Sequence, residues 1–235
     1  SIGPSRISEF VLSNADAQTR VWNVSDPLNV KEIGGALQGA DYKFTLATEN
    51  LLEFIAFNGS SYHSVEFVEK IENQNLHAVP TPELVIVTHP KFLEQANVLA
   101  DHHRNHDQMD VVVAKTDQIY NEFSSGAKDI TAIRNFMRMI YTRPDGEKLR
   151  YLLLFGDASF DYKDRIENNS DYVPSWETQA SISLTSSFVT DDYYGLLDED
   201  EGGDTEGKID LGIGRLPVST TQQAKEVVNK IFHYT

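Results

Sequence analysis

The sequence predicts an α/β fold in which a parallel, doubly wound sheet follows an antiparallel β segment. Three observations predict it. Up to about residue 80, apolar residues fall in short, partly alternating runs separated by turn signals. After Pro80-Thr81-Pro82 the runs become compact and wholly apolar, as strands covered on both faces require. Between these later runs lie stretches with helical spacing, and such alternation means right-handed crossovers onto one sheet.

In the β segment, residues 1–80, the candidate strands are Phe10-Val11-Leu12, Arg20-Val21-Trp22-Asn23-Val24, Tyr42-Lys43-Phe44-Thr45-Leu46 and Glu53-Phe54-Ile55-Ala56-Phe57. All are rich in aromatic and β-branched residues. Asn14-Ala15-Asp16, Asp26-Pro27, Gly34-Gly35 and Asn58-Gly59 supply the turns, and the spacing suits an antiparallel sandwich or sheet. In the α/β unit, residues 81–235, Leu84-Val85-Ile86-Val87 is the first buried strand. A helix follows over 90–106, with Phe92, Ala96, Leu99 and Ala100 on one face. Asp110-Val111-Val112-Val113 is the second strand. Thr116 is positioned to cap a helix through Ile119, Tyr120 and Phe123, and Asp129 to cap another carrying Ile133, Phe136, Met137 and Ile140. Tyr151-Leu152-Leu153-Leu154-Phe155 is the third strand and Leu211–Leu216 the fourth. A last helix, capped by Thr220 or Thr221, carries Ala224, Val227, Val228 and Ile231.

Composition removes several function classes. A net charge of -16 repels phosphate backbones and anionic membranes, and suits basic substrates or metal cations better. The absence of cysteine excludes disulfides, thiolate metal sites and a thiol nucleophile within this chain. No apolar run approaches the roughly 20 residues that span a bilayer. The start, Ser1-Ile2-Gly3-Pro4-Ser5, has no leader character and reads as a cut through a longer polypeptide.

In open α/β sheets, functional residues gather at the carboxyl ends of the strands. Asp157, directly after the third strand and Gly156, is either a metal or catalytic carboxylate or a turn cap. The run Asp191–Glu206 holds eight acids and no base, which suits a hard cation such as Ca²⁺ or a plain solvated loop. Asp198, Asp200, Asp204 and Glu206 match an EF-hand count in part. Gly202 and Ile209 stand where two ligands belong, so an EF-hand is rejected. His102 and His106 have the i, i+4 spacing of paired zinc ligands, but no Glu follows His102 and the metalloprotease motif fails. Histidines at a helix C-terminus are favourable in their own right. There is no G-x-S-x-G elbow and no P-loop; Ser159 has no evident histidine partner.

Motifs in order along the chain resemble the gingipain family of cysteine peptidases, peptidase family C25. Tyr151–Asp157 is similar to the gingipain strand that ends in Gly-Asp, and Thr190-Asp191-Asp192-Tyr193-Tyr194-Gly195 to the element after it. Ile213-Gly214-Arg215-Leu216 and the helix ending Ile231-Phe232-His233-Tyr234 are similar to the end of the subdomain that precedes the catalytic one. Val21–Pro27, Glu72–His77 and Glu83–Pro90 resemble the secretion-system sortases of the family. The resemblance implies a caspase/gingipain-like sheet after the end of an N-terminal β domain. It implies a parent on the outer surface of a Gram-negative bacterium that removes C-terminal sorting domains from type IX secretion cargo. Its partners would be those cargo domains and other type IX components. The family's catalytic cysteine and histidine lie in a second subdomain, so no residue here inherits those roles. Structural Ca²⁺ is implied near the Gly-Asp strand end and the acidic turn, which maps onto Asp157, Asp198 and Asp200. The alternative is a non-catalytic surface-binding protein with a peptidase-like fold.

Overall fold

Six short strands pair into two antiparallel sheets within Ser1–Ile71, the first of two compact units in the computed structural model. The second unit is Glu72–Thr235. The structure describes residues 7–60, 62, 64–180, 182–203 and 205–234, so Ser1–Ser5 and Asp204 of the EF-hand count lie outside the described residues. In the first unit β1 (Ile7–Ser13), β5 (Asp41–Ala47) and β4 (Ala36–Gln38) form one sheet, in that order. The other sheet is β3 (Lys31–Glu32), β2 (Thr19–Asn23) and β6 (Phe54–Asn58). β1 alternates exposed and half-buried residues along its length, the pattern of a sheet wet on one face. Phe10 lies opposite Phe44, with rings stacked at 5.3 Å, and Phe54 packs edge-on against Phe44 at 5.3 Å. That aromatic trio joins the two sheets, since Phe54 belongs to the second.

The second unit is a four-stranded parallel sheet of order β12-β9-β7-β8. Its strands are β7 (Leu84–Thr88), β8 (Val111–Lys115), β9 (Tyr151–Phe155) and β12 (Gly212–Leu216). A separate pair, β10 (Trp176–Glu177) with β11 (Val189–Thr190), sits in the connection between β9 and β12. Every residue of β7 is buried because it lies between β9 and β8 and is covered on both faces. Val85 and Val87 belong to the core shared with α2 (Thr116–Phe123) and α3 (Ile130–Tyr141). Leu84 and Ile86 belong to the core shared with α1 (Leu93–His106) and α4 (Thr221–Tyr234). The sheet is therefore doubly wound, as the sequence predicts.

The helix starts follow local chemistry. The Asp129 carboxylate accepts from Thr131 N–H at 2.8 Å and opens α3. Thr220 Oγ1 accepts from Gln223 N–H at 3.1 Å and opens α4. Thr116 is not a cap: it is the first helical residue and is buried, and the Gln118 side chain reaches back to Lys115 N–H at 3.3 Å.

Parallel pairing places the two ends of the sheet in opposite roles. Gly212 pairs with Tyr151 and Leu216 with Phe155, so Asp210 precedes the amino end while Asp157 follows the carboxyl end. Five residues of extended chain separate these ends, roughly 16 Å.

Candidate functional site

At the carboxyl end, β9 leaves the sheet through Gly156, whose φ is +154°. A Cβ there would stand 2.9 Å from Val173 Cγ2, so the chain passes too close for any side chain. Asp157 is tied on three sides. Its N–H donates to Val218 O, its carbonyl accepts from Tyr172 and Val173 N–H, and its Oδ2 accepts from Ser219 Oγ at 3.0 Å. Next to it Arg215, on β12, uses all five guanidinium donors. Nε and Nη2 bond Asp191 Oδ2 and Oδ1 at 2.7 and 2.6 Å. Nη1 bonds Gly156 O and Val173 O at 2.8 and 2.6 Å, and Nη2 also reaches Pro174 O at 3.2 Å. One side chain thus joins the β9 exit, the segment at 173–174 and the turn at Asp191.

Two clefts open beside this clamp. One, of about 380 Å³, is lined by Asp157, Ser159, Thr190, Asp191 and Arg215; the other, of about 410 Å³, by Lys128, Asp129, Tyr162 and Glu177, and Ser175 borders both. Between them Asp171 is buried to 1% side-chain exposure. Lys128 Nζ pairs with it at 2.6 Å and Ser159 N–H donates to its Oδ1 at 3.1 Å. Burial, followed by the nearby Asp171 charge, holds the Glu177 carboxyl above its ordinary pKa. Tyr194, fully buried, donates its hydroxyl to Pro174 O at 2.5 Å.

At the amino end a second acidic group forms. Asp198, Glu201 and Asp210 each present a carboxylate oxygen within 4.8 Å of the others. The loop that carries them is shaped from α3. Arg134 is buried and donates to Leu196 O at 2.6 Å and to Glu201 O at 2.8 Å, and Arg138 Nε donates to Leu197 O at 3.1 Å. Glu201 accepts from Asp198 and Lys208 N–H, and Asp210 Oδ2 from Leu197 N–H at 2.9 Å. Burial of the Tyr141 hydroxyl, followed by the charges of Asp210 and Asp198 beside it, raises its pKa.

Residues 77–235, the whole of the sheet with its helices, match the sequence profile of peptidase family C25. The chain belongs to peptidase family C25. A solved structure to which it is similar is dimeric latent PorU from Porphyromonas gingivalis, with a TM-score of 0.79 and 28% sequence identity. The match covers 97% of this chain and 23% of that one. The chain therefore spans less than a quarter of the PorU length. No curated protein matches the chain. Among the described residues no helix is long and apolar enough to cross a membrane.

The geometry shows where the residues singled out in the sequence lie. Asp157 stands at the carboxyl strand end, where the Gly-Asp motif predicts it. The structure does not bring it together with Asp198, which lies beyond the opposite end of the sheet beside Asp210. Asp200 is exposed on the turn after Asp198 and is not in the carboxylate group. Of the residues onto which the resemblance maps Ca²⁺, Asp157 and Asp198 thus lie at opposite ends of the sheet: a parallel β12 must begin at the amino end, so the residues just before it are carried there. Sequence reasoning passed over Glu201 and Asp210, Arg215, and the Lys128–Asp171 pair. A charged residue inside an apolar strand, as Arg215 is in Gly212–Leu216, was the available signal for the clamp.

Proposed function

We infer that this chain is the α/β subdomain that precedes the catalytic subdomain of a C25 cysteine endopeptidase, together with the end of a β domain before it. Its role is to scaffold the active centre and to supply one wall of the substrate-facing surface. The observation that carries this reading is a C25 sheet whose carboxyl end is fully built and pinned by Arg215, in a chain without cysteine. In an open α/β sheet that end is where substrate is met, and the nucleophile must come from polypeptide other than this chain. On the family resemblance carried by its sequence motifs, we extend the proposal to the whole protein: it acts at the bacterial outer surface on protein substrates, removing C-terminal sorting domains of type IX secretion cargo with other type IX components as partners. The test is cleavage of a cargo C-terminal domain by the full gene product, with and without a thiol-alkylating reagent, beside the isolated 235-residue chain. Thiol-sensitive cleavage by the full product and none by the chain supports the reading. A full product without thiol-dependent cleavage overturns it and leaves the second reading, a peptidase-like binding protein.

Structural Ca²⁺ belongs to the same proposal. The donor set that fits it is Asp198, Glu201 and Asp210, all oxygen donors at mutual distances a single ion can bridge. Bound there, the ion would neutralise the repulsion of the acidic loop. Asp157, tied to Ser219, stands apart from this set.

A further inference from the structure

The last turn of α1 holds a second set of metal donors, chemically unlike the acidic loop. His102 and His106 lie one turn apart with their rings nearly parallel, 9° between planes and 5.0 Å between centroids. Asp107, the next residue, completes a group whose ligand atoms all lie within 4.8 Å of one another. From this juxtaposition we propose that His102, His106 and Asp107 bind a borderline transition-metal ion of the Zn²⁺ class.

Three features support it. Two imidazole nitrogens bound tetrahedrally at about 2.0–2.1 Å from one ion stand about 3.4 Å apart, and the ligand atoms of this group lie within 4.8 Å of one another before any ion is bound. Second, the His106 ring is already oriented. Its Nδ1 lies 2.8 Å from Asp107 Oδ1, so this nitrogen and oxygen already face one another and both can bind an ion that displaces the proton between them. The other Asp107 oxygen is held by His103 Nδ1 at 2.7 Å, so the carboxylate is braced from two sides. Third, His102 is itself fixed, since Phe232 of α4 packs against its ring at 4.5 Å. His106 and Asp107 are exposed and His102 half-buried, which leaves an open path for the ion. An N₂O donor set selects Zn²⁺, Ni²⁺ or Cu²⁺ over Ca²⁺, the reverse of the preference of the carboxylate group at 198–210.

The test is isothermal titration of the chain, free of any histidine tag and stripped with chelator, with Zn²⁺ and Ni²⁺. One ion per chain is expected, unaffected by millimolar Ca²⁺ and weakened at least about tenfold by His106→Ala, while His77→Ala leaves it unchanged. Because His106 is exposed at a helix end, that variant keeps the fold. A second readout on the unmodified protein is paramagnetic broadening by Ni²⁺ or Cu²⁺, expected at residues 99–110 and at Phe232. No binding, affinity unchanged in His106→Ala, or loss of binding in Asp198→Asn instead would each overturn the assignment.

Discussion

Arg215 and Asp191 meet in two parallel hydrogen bonds, Nε to Oδ2 at 2.7 Å and Nη2 to Oδ1 at 2.6 Å. The pair is well shielded, at 13% and 23% side-chain exposure. Its partners make it more than an ion pair, because the remaining donors hold carbonyls of Gly156, Val173 and Pro174. Arg215→Ala should cost about 3–5 kcal/mol, since it strands a shielded carboxylate and leaves three carbonyls without their donor. Arg215→Lys should recover only part of this, as an ammonium cannot match the fork. Urea unfolding of the two variants checks the order; a lysine variant as stable as the parent would refute the role of the fork.

Gly202 tests how the acidic loop is shaped. Its φ is +94°, and a Cβ there would fall 2.1 Å from Arg134 Cζ. Gly202→Ala should therefore destabilise by about 1–3 kcal/mol through strain and displacement of a buried guanidinium. Gly203→Ala, where a Cβ meets nothing within 4 Å, is the matched control and should cost less than half as much.

Calcium should raise the melting temperature of the chain, by an amount set by mass action: about 2.7 kcal/mol at one hundred times the Kd. Asp198→Asn should reduce that gain. Asp157→Ala should leave it intact, because Asp157 lies beyond the other end of the sheet. Differential scanning calorimetry with and without millimolar Ca²⁺ distinguishes the two variants, and a gain lost only in Asp157→Ala would refute the assignment to the amino end.

His89 introduces a pH dependence whose sign can be worked out. Its Nδ1 accepts from Lys91 N–H at 3.1 Å and its ring packs against Tyr172, so the neutral form is the one the fold uses. Burial, ahead of the opposing effect of Asp117, holds its pKa below the ordinary value. In the window between the lowered folded value and about 6.5 the unfolded chain binds more protons. The contribution to stability is complete above about pH 6.5 and is lost as pH falls through the folded value. His89→Asn keeps an acceptor for Lys91 and does not titrate. Unfolding curves at pH 7.5 and 5.5 should show a smaller acid loss in that variant than in the parent.

The parts of the fold legible in the sequence are those where burial dictates composition. Leu84-Val85-Ile86-Val87 and Leu152-Leu153-Leu154-Phe155 carry no polar residue because both faces are covered, and each became part of a strand of the parallel sheet. Asp129 was legible as a cap because a carboxylate before an apolar helix face has one strong local use. Thr116 was not, since its hydroxyl suggested a cap while burial against the core drew it inside the first turn. β3, β10 and β11 are two residues each, too short for any period to show. At the candidate site, Asp157 could be placed from the strand before it. The group at 198–210 could not be assembled by counting acids, because its members are chosen by how Arg134 and Arg138 fold the loop back over α3.

The five bonds of Arg215 also bear on how this end of the domain comes apart. They gather the β9 exit, the segment at 173–174 and the turn at Asp191 onto one side chain of β12. None of the three can fray alone without breaking a bond to the same guanidinium. Their amides should therefore exchange with solvent deuterium in a single concerted opening rather than as three independent loops.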